Sequence, residues 1–108
     1  MIFSRTYGEG IPLIIIHGLF GMSDNWNTLG KKFAENFNVH IVDLRNHGRS
    51  FHSDDFSYDL MAKDIEKYIE HFGLNKPILL GHSLGAVSYT HLRAHETRGN
   101  LVCRLLLE

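Results

Sequence analysis

The chain has one cysteine, almost no net charge and no long hydrophobic run, and each of these absences excludes a class of protein. A single cysteine excludes an internal disulfide and favours a reducing compartment, with the cytoplasm as the expected location. A net charge of −1 gives no electrostatic basis for binding nucleic acid or an anionic membrane. No apolar run approaches the roughly 20 residues of a membrane span, and residues 1–5 lack the hydrophobic region of a signal peptide. With 44% hydrophobic residues, the composition is that of an ordinary globular protein.

Short apolar segments alternate with amphipathic segments through residues 1–85. Continuous β-branched runs are typical of strands that are buried on both faces. The predicted strands are Ile2–Tyr7, Leu13–Ile16, Val39–Val42 and Ile78–Leu80. The predicted helices run from about Asp24 to Phe37 and from Tyr58 to Phe72, with Gly73 and Pro77 ending the second. This alternation predicts an α/β fold in three layers, with a mostly parallel sheet between helices on its two faces.

Both predicted helices carry an apolar stripe that we expect to face the core. The stripe of the first helix consists of Trp26, Leu29, Phe33 and Phe37. The stripe of the second consists of Met61, Ile65, Tyr68, Ile69 and Phe72. Four charged residues of the second helix are expected mostly outside, namely Asp64, Glu66, Lys67 and Glu70.

Residues 81–85 spell G-x-S-x-G directly after the last predicted strand. This pattern is typical of a nucleophile elbow, a sharp strand-to-helix turn that lifts its serine clear of the sheet. Gly81 and Gly85 would permit the close packing of the turn. Ser83 is then the candidate nucleophile, and the backbone N–H of Leu84 is a candidate oxyanion donor at the start of the following helix. The alternatives are an ordinary strand-to-helix turn or an anion-binding turn.

A second motif, His17-Gly18-Leu19-Phe20, follows the buried strand Leu13–Ile16. Gly18 would let the loop turn a backbone N–H towards the nucleophile. Leu19 is the expected second oxyanion donor, and Phe20 is the alternative. His17 has the chemistry of a catalytic base. We interpret it as a structural residue that braces the loop, because the base of such sites comes late in the chain.

A third motif, residues 43–50, follows the strand Val39–Val42. Asp43 and Arg45 are expected to pair with each other or to hydrogen-bond the loop backbone. Gly48 is expected to allow a turn with positive φ. We interpret the motif as loop scaffolding, although His47 and His52 are potential substrate contacts.

Together, these three motifs resemble those of the α/β-hydrolase superfamily, and most closely its small bacterial esterase subgroup. The resemblance covers essentially all of residues 1–85. It implies a mostly parallel sheet of about eight strands, a Ser-Asp-His triad in that chain order and no cofactor. It assigns Ser83 as the nucleophile, and Leu84 and Leu19 to the oxyanion hole.

The sequence departs from the family pattern immediately after the elbow. Residues from Val87 onward resemble a translated transposase-type sequencing adapter, whose two constant blocks give Val87–Glu96 and Leu101–Leu107 in one reading frame. We therefore expect residues 1–86 to be the N-terminal part of a hydrolase domain and residues 87–108 to be an adapter-derived tail. The i, i+4 pair His91 and His95 then carries no meaning as a metal site, and no metal is predicted.

The sequence supports three functional hypotheses. The first is a serine hydrolase that cleaves small carboxylic ester or thioester substrates through an acyl-enzyme. Because the triad acid and base are missing, we expect the 108-residue chain itself to be inactive. The second keeps the fold and changes the reaction to C–C hydrolysis, perhydrolysis or acyl transfer. The third is a non-catalytic interaction module.

Overall fold

The computed structural model describes residues 1–17 and 27–81, which form one four-stranded sheet and two helices. The elements are β1 (Ser4–Tyr7), β2 (Ile11–Ile16), α1 (Asn27–Phe33), β3 (Phe37–Val42), α2 (Tyr58–His71) and β4 (Ile78–Gly81). The spatial order of the strands is β1-β3-β2-β4. Strand β2 is parallel to both β3 and β4, and β1 is antiparallel to β3. The α/β class and the mostly parallel sheet are therefore confirmed, and each predicted strand is present with shifted ends.

The sheet is covered on both faces because alternate side chains of each strand point to opposite sides. On one face, Ile14 and Ile16 of β2 belong to the same apolar cluster as Ile65 and Tyr68 of α2. On the other face, Leu13 and Ile15 form a second cluster, against which Phe33 of α1 packs. The continuous apolar run Leu13–Ile16 of β2 was the sequence signal for this arrangement. The result is the predicted order of layers, helix, sheet and helix.

The register of the parallel strands brings their carboxyl ends to one level. Ile16, the last residue of β2, pairs with Val42 at the end of β3 and with Gly81 at the end of β4. The chain segments that follow these three strands therefore start side by side. We call this side of the sheet the carboxyl edge.

Helix α1 ends earlier than predicted, and its predicted start at about Asp24 and the stripe residue Trp26 lie outside the described residues. It ends at Phe33, and Phe37 belongs to β3. The chain leaves the helix in a tightened turn, in which Asn36 N donates to Phe33 O at 3.0 Å, three residues back. Leu29, predicted in the core stripe, is 39% exposed. Gly30 is buried instead, because the helix lies so close to the sheet that a Cβ there would overlap Ile41 Cδ1.

Helix α2 begins at Tyr58 as predicted and ends at His71, one residue earlier than predicted. Two of its side chains do not lie where expected. The Ser57 side chain caps the helix by accepting a hydrogen bond from Leu60 N at 3.1 Å. Gly73 follows the helix with a φ of +61°. Phe72, predicted in the core, is 51% exposed because it is the C-cap residue, where the helical stripe no longer holds. Asp64, predicted outside, is only 6% exposed.

Candidate active site

All three sequence motifs begin at the carboxyl edge. His17 directly follows β2, Asp43 directly follows β3, and Gly81 is the buried last residue of β4. Two of the three motifs continue outside the described residues. The predicted site residues in that part of the chain are Gly18, Leu19, Phe20, Ser83, Leu84 and Gly85, and their assignments stay predictions.

His17 connects the segments that leave β2 and β3. Its side chain is fully buried, and its Nε2 accepts a hydrogen bond from Leu44 N at 2.9 Å. An imidazole nitrogen that accepts from an amide carries no proton, so His17 is neutral and bears its proton on Nδ1. This arrangement fits the interpretation of His17 as a residue that braces the loop.

His47 lies against His17 in the loop after β3. The two ring centroids are 4.9 Å apart, and the His47 side chain is 8% exposed. Its Nδ1 lies 2.9 Å from the carbonyl oxygen of Arg45, and since a carbonyl only accepts, Nδ1 is the donor. On its other side, the ring of Phe56 has its centroid 6.3 Å away. His47 is thus fixed from two directions.

Asp43 organises the loop through backbone contacts. Its Oδ2 accepts a hydrogen bond from Arg49 N at 3.1 Å, and its carbonyl accepts one from the Ser50 hydroxyl. Ser50 Oγ in turn accepts from Phe3 N at 2.8 Å, which links the loop to the N-terminal segment. Gly48 has a φ of +49°, the left-handed conformation expected from the sequence. Of the two partners considered for Asp43, the structure shows the loop backbone.

Arg45 has a partner that sequence reasoning missed. Its guanidinium binds Asp64 of α2 in bidentate fashion, with Nε to Oδ2 at 2.6 Å and Nη2 to Oδ1 at 2.9 Å. Its Nη1 donates to the Asp55 carbonyl at 2.8 Å, and the guanidinium lies 5.0 Å from the Phe51 ring centroid. The hydrogen bonds to Asp64 raise the pKa of Arg45 above its usual value, although burial opposes this. The expectation that Asp64 lies outside was therefore wrong.

A signal for this pair was present in the sequence. Asp64 lies three residues after Met61 and four before Tyr68, so it shares the helical face of the apolar stripe. A carboxylate at such a position needs a cationic partner, because a buried unpaired charge is strongly unfavourable. The identity of that partner, a residue 19 positions away in sequence, was not readable from spacing alone.

Two further observations concern other kinds of site. Among residues 1–17 and 27–81, no three His, Cys, Asp or Glu side chains are grouped closely enough to hold a metal ion. Neither helix in this part of the chain is long and apolar enough to cross a bilayer.

Comparison with known proteins gives a consistent picture. A Haemophilus influenzae protein named as an esterase/lipase is 51% identical over 73 residues, which are 68% of this chain and 25% of that protein. An ethanol acetyltransferase of Wickerhamomyces ciferrii is 42% identical over 77 residues, covering 69% of this chain and 20% of the relative. An sn-1-specific diacylglycerol lipase of Mus musculus is 40% identical over 75 residues, covering 68% of this chain and 24% of the lipase. The chain therefore spans about a quarter of the length of these curated relatives.

Solved structures agree with the sequence relatives. A marine microorganism esterase superposes with a TM-score of 0.91 at 38% identity, over 98% of this chain and 40% of that one. A thermophilic esterase from Thermogutta terrifontis superposes with a TM-score of 0.86 at 28% identity, over 98% of this chain and 39% of the esterase. The family model of the alpha/beta hydrolase fold matches residues 11–95, most of the sequence. The chain belongs to the α/β hydrolase fold family.

Proposed function

We propose that Ser83 is the nucleophile of a hydrolase that cleaves carboxylic ester or thioester bonds through an acyl-enzyme. The observation that carries this proposal is the register of β2 and β4. Gly81 pairs with Ile16, so β4 ends level with the strand that leads into the second motif. Ser83 follows Gly81 by two residues, a distance of at most about 7 Å along the chain. The esterase and lipase relatives support this choice of reaction.

The proposed reaction is acyl transfer in two steps. The Ser83 oxygen bonds to the acyl carbon while a general base takes its proton, and the alcohol or thiol leaves with that proton. Water then attacks the acyl-enzyme, restoring Ser83 and releasing the carboxylic acid. The N–H groups of Leu84 and of Leu19, with Phe20 as the alternative to Leu19, would donate to the oxyanion that forms in each step.

The described residues support such a site as a scaffold. The hydrogen bond from Leu44 N to His17 Nε2 joins the segment after β3 to the start of the proposed oxyanion loop. The Arg45–Asp64 pair joins the same segment to α2. Loops that carry reacting groups must be held closely, because small displacements greatly reduce turnover.

The acid and the base of the proposed triad are not assigned to residues of this chain. We propose that residues 87–108 are adapter-derived and that the 108-residue chain turns over esters at a rate several orders of magnitude below that of a complete hydrolase. The encoding DNA tests the first statement. Codons from Ala86 onward should match the adapter base by base, and codons that differ from it throughout would refute an adapter origin.

The nucleophile is tested in the complete hydrolase, recovered from source DNA through the sequence encoding residues 1–85. We expect turnover of a short-chain aryl ester and stoichiometric labelling by a fluorophosphonate, both lost in Ser83→Ala. Ser53→Ala is the matched control, because Ser53 is a loop serine whose hydroxyl accepts a hydrogen bond from the nearby Asp55 N at 3.1 Å. Activity that survives in Ser83→Ala would refute the proposal.

Acyl transfer to an alcohol is the second candidate. It is favoured by the 42% identity to an ethanol acetyltransferase. The same acyl-enzyme serves both reactions, since only the acceptor in the second step differs. Assays with ethanol as a competing acceptor distinguish them, because an acyltransferase forms the ethyl ester in preference to the free acid.

A further inference from the structure

Three aromatic rings form a row at the carboxyl edge, from the buried His17 to the exposed Phe56. The His17 and His47 centroids are 4.9 Å apart, and those of His47 and Phe56 are 6.3 Å apart. The exposed fractions of the three side chains rise from 0% through 8% to 44%. The row therefore leads from the residue that begins the second motif to the molecular surface.

The backbone of Phe56 is fixed from both sides. On one side, Arg45 Nη1 donates to the carbonyl of Asp55 at 2.8 Å. On the other, Ser57 caps α2 through its bond from Leu60 N. Phe56 thus presents an apolar face from an anchored position. A fixed aromatic face suits an apolar ligand, because its binding need not be preceded by ordering of the loop.

Phe51, the other exposed phenylalanine of this loop, already contacts a cation. The guanidinium of Arg45 lies 5.0 Å from its centroid, in the geometry of a cation–π contact. Phe56 makes no such contact with a cation among the described residues, and its ring contact is with His47. Phe56 is therefore the better candidate to meet a ligand.

The charges beside Phe56 indicate what kind of ligand it meets. The charged residues within three positions of Phe56 in the sequence are Asp54, Asp55 and Asp59, and all three are exposed carboxylates. An anionic ligand, such as a free carboxylate or a phosphate-bearing thioester, would be repelled at this rim. A neutral ester with an alkyl chain would not be.

We propose that Phe56 is a specificity-determining residue that contacts the alkyl chain of a neutral ester substrate. This inference rests on the proposed function, since it places the chain of the substrate beside the edge from which Ser83 would react. It goes further by naming the substrate class and the contact that selects it.

Photo-cross-linking of the 108-residue chain tests the contact without requiring turnover. The probe is the ethyl ester of an eight-carbon fatty acid that bears a diazirine at its far end. We expect labelling in the tryptic peptide spanning residues 50–63, reduced about fivefold in Phe56→Ala. Phe72→Ala is the matched control, because Phe72 is similarly exposed, at 51%, but lies at the C-terminal end of α2. The probe should label the Phe72→Ala variant to the same extent as the original chain.

Competition completes the test. Ethyl octanoate should abolish the labelling, whereas octanoate at the same concentration should not. Phe56→Asn serves as a second variant if Phe56→Ala loses its circular dichroism signal. Four outcomes would overturn the inference. The labelling could be unchanged in the folded Phe56 variant, or it could be reduced equally in Phe72→Ala. It could also be spread over the whole chain, or octanoate could compete as well as ethyl octanoate does. Failure of the proposed function would instead be seen as ester turnover that survives in Ser83→Ala, with the labelling unaffected.

Discussion

Arg45 and Asp64 form a buried bidentate ion pair between the loop after β3 and helix α2, with both side chains at most 10% exposed. Two parallel N–H···O bonds fix the guanidinium in its own plane, which a lysine could not achieve. The remaining nitrogen, Nη1, is used by the Asp55 carbonyl. One side chain thus sets the position of the loop relative to the helix.

Removing one partner of this pair should strongly destabilise the chain. In Asp64→Ala, the Arg45 cation stays buried without its counter-charge, and we expect the free energy of unfolding to fall by about 3 kcal/mol. Urea denaturation followed by circular dichroism measures the change. Lys63→Ala, an exposed substitution on the same helix, is the control and should change the free energy by less than about 0.5 kcal/mol. Equal stability of the two variants would show that the pair contributes nothing.

The fold class could be predicted from the sequence, but the positions of two helical side chains were predicted wrongly. The fold class followed from the alternation of short, largely β-branched segments with amphipathic ones, because this alternation is typical of parallel strands joined by helices. Asp64 was misplaced because a charged residue was assigned to solvent by type, although its spacing from Met61 placed it on the buried face. Phe72 was misplaced for the opposite reason, since its apolar character outweighed its position at the helix end.

Within the site, the sequence indicated where loops leave the strands but not which atoms meet. The segments after β2 and β3 were both recognised, and their adjacency follows from parallel pairing. The bond from Leu44 N to His17, and the contact of His17 with His47, depend on side-chain directions within an irregular loop. No periodicity encodes such directions. Their prediction from one sequence therefore had no physical basis.

Gly48 should tolerate an alanine less well than Gly73 does. Both have positive φ, +49° and +61°, so both substitutions incur a backbone cost of about 1–2 kcal/mol. Only at Gly48 does the new Cβ meet another group, because it would lie 2.5 Å from Asp43 Oδ2, whereas nothing lies within 4 Å at Gly73. We expect Gly48→Ala to cost at least about 1 kcal/mol more than Gly73→Ala in urea denaturation. Equal costs would mean that the Asp43 carboxylate moves away without loss.

His17→Ala should destabilise the chain by about 3 kcal/mol. The substitution leaves the buried Leu44 N–H without its acceptor and creates a cavity beside the His47 ring. His17→Gln keeps an acceptor oxygen and should recover part of the loss. His52→Ala is the control, since His52 is an exposed histidine in the same region of the chain, and its effect should be close to zero. Thermal or urea unfolding of the three variants measures these effects. If His17→Ala does not lower the free energy of unfolding, His17 does not brace the loop.

A polar pair between the sheet and α2 should make stability depend on pH. His40 is 5% exposed and Tyr68 is 1% exposed. His40 Nδ1 lies 2.6 Å from the Tyr68 hydroxyl oxygen, and its Nε2 donates to Asn38 Oδ1 at 2.6 Å. Burial lowers the pKa of His40 below 6.5. Burial also raises the pKa of Tyr68 above 10.0, although hydrogen bonds with the side chains of Ser4 and Thr6 oppose this. Both shifts express the same fact, that the charged form of each ring is disfavoured inside the protein.

The signs of the two shifts define a plateau of stability. Below pH 6.5, the unfolded chain protonates His40 while the folded chain resists, so the free energy of unfolding falls as the pH drops towards the folded-state pKa. Above pH 10.0, the unfolded chain ionises Tyr68 first, so the free energy of unfolding falls again as the pH rises. Urea titrations from pH 5 to pH 11 should show the plateau in between. His40→Gln should flatten the acid limb and Tyr68→Phe the alkaline limb, each leaving the other limb in place. If both limbs persist in the double variant, the pH dependence comes from other groups.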